Sequence, residues 1–149
     1  MTSFVFWQRW LVVSCFSFAG IGVAVATAGD SVLFGAWNAG VAEVFGNGGA
    51  LDPAADELKS FLLGPLGGTI LGSYVLCGFV AAIPFARRER WAWIAITASL
   101  LSWFVLDSTI SVLHGAWFNV YLINIVTLLG QGLPLAMTAP EFWRGPRMR

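Results

Sequence analysis

Apolar residues in this chain come in long runs, separated by short polar stretches, and the length of each run is the first clue to the fold. A hydrocarbon core about 30 Å thick is crossed by roughly 20 apolar residues in a helix, because only closed hydrogen-bonding patterns leave no backbone group unpaired in lipid. Four runs reach that length, at about residues 5–28, 66–86, 91–113 and 116–138. The first contains WLVVSCFSFAGIGVAVATA and no charge after Arg9. A basic residue ahead of an apolar run, with small residues in AVATA, is also the pattern of a secretory signal peptide; the length of the run favours a span. The chain is therefore expected to be an all-α membrane protein, a four-helix antiparallel transmembrane bundle forming a single domain over residues 1–149.

Residues 29–65, between the first two runs, are too many for a plain turn and predict two short interfacial helices in an external loop. SVLFGAWNAGVAEVF follows Asp30 or Ser31 as N-cap and places Leu33, Phe34, Trp37, Val41, Val44 and Phe45 on one side, an amphipathic face suited to a membrane surface. After the GNGG turn, Asp52 and Pro53 form a helix-start pair, and AADELKSFLL is expected to continue until Gly64 and Pro65 interrupt it. This cap holds Asp30, Glu43, Asp52, Asp56 and Glu57 against Lys59 alone, so it would attract cations or basic partners.

Charge then orients the spans. If four helices alternate, Arg9, Arg87, Arg88, Arg90, Arg144, Arg147 and Arg149 fall on one side and Lys59 on the other, so both termini are expected at the cytoplasmic face, most simply of a bacterial cell membrane. Trp7, Trp10, Trp91, Trp93 and Trp143 map to the inner interface and Trp117 to the outer, the depth that indole rings prefer. Trp103 alone falls near mid-span.

Composition narrows the classes further. Only 11% of the 149 residues are charged, the net charge is zero, and no basic stripe exists, which argues against nucleic acid as a partner. Two cysteines, Cys15 and Cys77, form no C-x-x-C pair and read as small buried hydrophobes, although both fall at similar depth. No phosphate loop, H-E-x-x-H, G-x-S-x-G or haem-attachment pattern is present. Gly64, Gly68 and Gly72 recur every four residues and predict a helix-packing strip, against another helix of the bundle or against a second subunit.

The candidate chemistry lies in FVLDSTISVLHG. Asp107, Ser111 and His114 are spaced by four and three and share a helical face, with Ser108 beside them; in the next run Asn124, Thr127 and Gln131 repeat the pattern. The short HGAWFN connection makes these helices neighbours, so a polar contact is expected between the stripes, with Asn124 near the depth of Asp107. An aspartate at the centre of a membrane helix costs about 3 kcal/mol and must find partners or a proton. One histidine with no second His or nearby Cys does not make a metal site, and no cofactor is implied. The expected function is a non-catalytic accessory or interaction subunit of a larger membrane complex, whose partners are the bilayer and a protein or second copy bound through the membrane helices. The alternatives are a transporter or channel component using Asp107 and Asn124 as a proton or cation site, and a membrane enzyme acting on a lipid or quinone through Asp107 and His114.

Overall fold

The computed structural model of the chain describes residues 3–46 and 49–143. These form α1 (Ser3–Ala28), a 3₁₀ turn (Val32–Phe34) running into α2 (Gly35–Phe45), α3 (Pro53–Ala82), α4 (Arg90–Leu113) and α5 (Trp117–Trp143), with no strand among the described residues. Helices α1, α3, α4 and α5 are each long and apolar enough to cross a membrane, which points to an integral membrane protein. The expected positions of Arg144, Arg147 and Arg149, and the centre of the GNGG turn, lie outside the described residues.

The expected break at Gly64–Pro65 does not occur. Asp52 caps the helix as anticipated, its carboxylate accepting from the Ala55 N–H at 2.9 Å, but the 30 residues from Pro53 to Ala82 then form one uninterrupted helix. Proline removes a donor and crowds the preceding turn, yet apolar surroundings favour keeping the remaining hydrogen bonds. Thr69 also donates its hydroxyl to the Pro65 carbonyl at 2.9 Å. Ser31 stands at the N-cap of the 3₁₀ turn that opens the first short helix, in extended backbone, but makes no side-chain cap bond, and Asp30 is engaged by Lys59 and Ser60.

Helix α1 is the central element, packed along α3 and against α5, while α4 packs on α5. Its contacts with α3 run in opposite chain order. Gln8 donates to the Ala81 carbonyl at 3.1 Å, Cys15 meets Cys77, and Gly22 lies against Gly67 and Leu71. A Cβ on Gly22 would stand 2.6 Å from the Leu71 nitrogen, and one on Gly67 would collide with the Gly22 carbonyl, so the backbones touch here. The strip read from spacing does not pack within the bundle. Added Cβ atoms at Gly64, Gly68 and Gly72 meet nothing within 4 Å, so these glycines make no close helix contact within the chain, and Gly67 does. Glycine is too frequent here for spacing alone to select the face.

Aromatic residues close the end of the bundle where the chain passes from α3 to α4. The rings of Phe4, Phe85 and Phe142 cluster, the last two 4.7 Å apart, and the Arg88 guanidinium sits 4.5 Å over Phe4 and 3.7 Å from Glu141. Arg90 and Trp93 donate to the Phe142 and Leu135 carbonyls of α5.

Trp10 does more than mark an interface. Pro134 has no N–H to offer the carbonyl four residues before it, which is that of Gly130, and Trp10 donates its indole N–H to this carbonyl at 3.0 Å. Trp10→Phe is expected to destabilise the fold by about 1–2 kcal/mol, the cost of an unpaired backbone acceptor. In a Pro134→Ala background, where residue 134 supplies the donor, that cost should largely vanish; denaturation of all four proteins in mixed micelles measures it. Gly67→Ala should cost about 1–3 kcal/mol by forcing α1 and α3 apart, whereas Gly68→Ala should leave the unfolding midpoint unchanged.

Candidate functional site

Although α3 and α4 are consecutive, they touch little along their length. Ser73 of α3 and Ser99 of α4 are both exposed at the gap, and behind them lies a cavity of about 420 Å³ lined by residues from all five helices. Its wall is mainly apolar, and Asp107 is the one charged residue among those lining it.

At the end nearer α2, Asn119 organises the polar groups. Its amide donates to Asp107 Oδ2 at 2.9 Å and to Ser111 Oγ at 3.0 Å, and its carbonyl oxygen accepts from the Trp37 indole at 3.1 Å. One turn deeper, Asn124 donates to Ser108 Oγ at 2.9 Å. Asn124 is completely buried, and its Oδ1 has no partner among the described residues. The polar stripes of α4 and α5 thus meet, but the partner of Asp107 is Asn119 and not Asn124.

A local irregularity produces this arrangement. Residues Val120–Asn124 form a π-helical turn, in which the Ile125 N–H reaches back five residues to the Val120 carbonyl. On a regular α-helix Asn119 and Asn124, five positions apart, would point about 140° from one another. The wider turn rotates both toward α4, and such single π-turns recur at functional sites.

Further along α5, Thr127 faces the cavity that Tyr74 of α3 also lines, and the buried Gln131 amide lies 3.6 Å from Cys15 Sγ. Cys15 and Cys77 stand Sγ to Sγ at 3.4 Å, so the two cysteines are neighbours; Cys15 is wholly buried and Cys77 lines the cavity. From Asn119 to Gln131 the helix rises about 18 Å, so the cavity has two separate polar regions with apolar wall between them.

His114 takes no part in this. It is exposed, its Nδ1–H donating to the Ile110 carbonyl of its own helix at 2.9 Å, with the ring 6.4 Å from Phe45. The expected acid–base pairing with Asp107 is not formed. Asn119, Trp37, Tyr74 and Cys77 were not among the residues expected at a site. Asn119 and Trp37 lie in segments that read as a turn and a surface helix, and Tyr74 and Cys77 on a span whose other polar residues, Thr69 and Ser73, carry only small hydroxyl side chains. Trp103, the one mid-span tryptophan, lines the cavity as part of its aromatic wall. No group of three or more His, Cys, Asp or Glu side chains that could hold a metal occurs among the described residues.

Comparison with protein families, with curated proteins and with solved structures finds no match. Geometry alone therefore carries the functional reading.

A charged knot ties down the rim. Lys59 contacts Asp30 at 2.8 Å, Asp56 at 2.9 Å and the Asn38 side-chain oxygen at 3.2 Å, and Asn38 in turn donates to the carbonyl of Gly29, a cavity-lining residue. Hydrogen bonds from Lys59 first and the Ser60 hydroxyl second hold the Asp30 carboxyl below its ordinary range. A depressed folded value means that the knot contributes fully above the unfolded carboxyl value, near 4, and is lost as pH falls through the lower folded value. The protection of amides 29–38, taken relative to the intrinsic exchange rate at each pH, should therefore be constant from neutrality down to about pH 4 and fall below it. Asp30→Asn should remove the acid-induced loss of protection.

Proposed function

We propose that the chain is an antiparallel bundle crossing the bilayer four times, with both termini at the cytoplasmic face and residues 29–65 forming an external cap. Within it, the cavity receives an amphipathic, bilayer-soluble molecule. The role is that of a non-catalytic accessory subunit, which holds this molecule inside a larger membrane assembly.

The cavity is the observation that carries this reading. Its 420 Å³ falls within the range of small-molecule sites, and a mostly apolar wall with a few convergent polar groups is their usual chemistry. The opening between α3 and α4 supports entry from the side, out of the lipid, rather than from water. Support for the orientation comes from the ends of the bundle, with Arg87, Arg88 and Arg90 gathered near Glu89 and Glu141 at one, and the Lys59 knot at the other. The unoccupied glycine face of α3, at Gly64, Gly68 and Gly72, leaves room for a neighbouring subunit's helix or a second copy.

One observation favours a second reading. Asp107 faces the cavity with a single amide donor on its carboxylate, which suits a proton or cation site in a small transporter. Asn119 would be the second member of that site in place of Asn124.

The test is native mass spectrometry of the chain purified in lipid nanodiscs. The accessory reading expects one small amphipathic molecule per chain, together with co-purifying subunits in fixed ratio. Ser99→Trp, which fills the cavity without disturbing packed helix faces, should lower occupancy about tenfold or more while leaving helicity and melting unchanged. Equal retention by the filled variant would overturn the binding reading. In the transporter reading, Asp107→Asn abolishes ion flux in proteoliposomes while the molecule stays bound.

A further inference from the structure

The two cysteines are 62 positions apart in sequence, are the only ones in the chain, and meet with their sulfurs in contact. Packing as small hydrophobes would account for their burial. It does not account for where the pair sits. Cys77 forms part of the cavity wall, and around it the wall changes character. The rings of Phe18 and Tyr74 stack at 5.1 Å, with Trp103 also on the wall, and Thr127 and Gln131 bring hydroxyl and amide donors to the same region. Flat aromatic walls suit a flat conjugated ring, and hydrogen-bond donors suit carbonyl oxygens on that ring.

We propose that Cys15 and Cys77 are a two-electron redox couple that exchanges electrons with a quinone seated in this part of the cavity. The inference rests on the cavity being a binding site, as argued above. In the forward direction two S–H bonds break and one S–S bond forms between α1 and α3. The two electrons pass to the quinone and the two thiol protons end on its two oxygens, giving the hydroquinone. In reverse, hydroquinone returns both electrons and both protons and regenerates the dithiol, so no other reactant is needed. Exchange of this kind proceeds by attack of one sulfur, an intermediate bond to the partner, and displacement by the second sulfur, which demands the close approach observed here. Cys15 is wholly buried and Cys77 faces the cavity, whose side opening lies between two spanning helices, so the pair is turned away from thiols of water-soluble proteins. The couple therefore follows the redox state of the quinone dissolved in the bilayer rather than oxidising other proteins.

The experiment uses the full chain, reduced and reconstituted in phosphatidylcholine nanodiscs, with a decyl-tailed benzoquinone as probe. Binding is read as quenching of Trp103 emission, isolated by subtracting a Trp103→Phe variant. Oxidation is read as loss of two hydrogens in the intact mass, loss of both alkylatable thiols after denaturation, and one hydroquinone formed per chain. The expected result is quenching together with stoichiometric disulfide formation, about tenfold or more faster than with oxidised glutathione confined to water. Cys15→Ser, which lies behind the cavity wall, should keep the quenching and lose the oxidation, and Cys77→Ser should lose the oxidation as well. Quenching without oxidation of the native chain, or a stable quinone–sulfur adduct, overturns the redox couple and leaves the cavity reading intact. Absence of quenching overturns the cavity reading on which the couple rests. Oxidation as fast from glutathione as from the quinone overturns the route through the cavity.

Discussion

The backbone contact between α1 and α3 governs the rest of the bundle. Where Gly22 and Gly67 face each other, neither helix carries a side chain, and the two backbones approach as closely as van der Waals radii permit. In lipid such contact is the main source of helix association, since apolar side chains gain nothing by leaving one apolar medium for another. Drawing α3 onto α1 takes it away from α4, the helix that follows it in sequence. The cavity is the space left over by that choice, and its side opening between Ser73 and Ser99 is the seam where two consecutive helices do not pack. The same contact sets the register that brings Cys15 to Cys77 and Gln8 to the Ala81 carbonyl.

A second constraint, that no backbone or polar group be left unpaired in an apolar medium, explains where the polar side chains fall. The Trp10 indole meets the carbonyl that Pro134 leaves open, and Trp93 and Arg90 reach other α5 carbonyls. At the opposite end Asn119 satisfies Asp107, Ser111 and Trp37 together. Each is a bond between helices, so the repairs that the backbone requires also fix how the helices sit. Among the described residues Asn124 Oδ1 and Thr97 Oγ1 are the exceptions, and Asn124 lies where the π-turn has already disturbed the regular ladder.

Legibility in the sequence follows the range of the signal. Long apolar runs marked the four spans, with bounds close to those of α1, α4 and α5, whereas α3 begins well before the expected residue 66; Asp52 with Pro53 marked a true helix start, because that pair is a local feature. The break expected at Gly64–Pro65 failed because the punctuation rule is weighted by water, where a freed backbone group finds a solvent partner; in apolar surroundings a continuous helix is the lower-cost answer. Asp107, Ser108, Ser111, Asn124, Thr127 and Gln131 were recognisable from polar spacing in apolar runs. The pairing within that set was not, since it depends on a π-turn that shifts Asn119 through a large angle and that no residue pattern announces. Tyr74 and Cys77 were hidden for another reason. They belong to the site only through the approach of α3 to α1, a tertiary fact carried by Gly67, one position away from the more regular glycine strip.

The two polar regions of the cavity differ in a way that bears on what each can do. At the outer one the Asn119 amide is fully engaged, donating to Asp107 and Ser111 while its oxygen is held by Trp37, so a ligand group there must displace a bond or engage the Asp107 carboxyl itself. The inner one is neutral, its Gln131 amide resting on a sulfur, a weak acceptor that a carbonyl oxygen readily replaces. Carbonyl oxygens on a ligand therefore find no free amide donor at the Asp107 end and an available one beside Cys77 at the other. This asymmetry of donors supports the inner end as the seat of the proposed quinone, with its tail directed along the apolar wall toward the opening between α3 and α4.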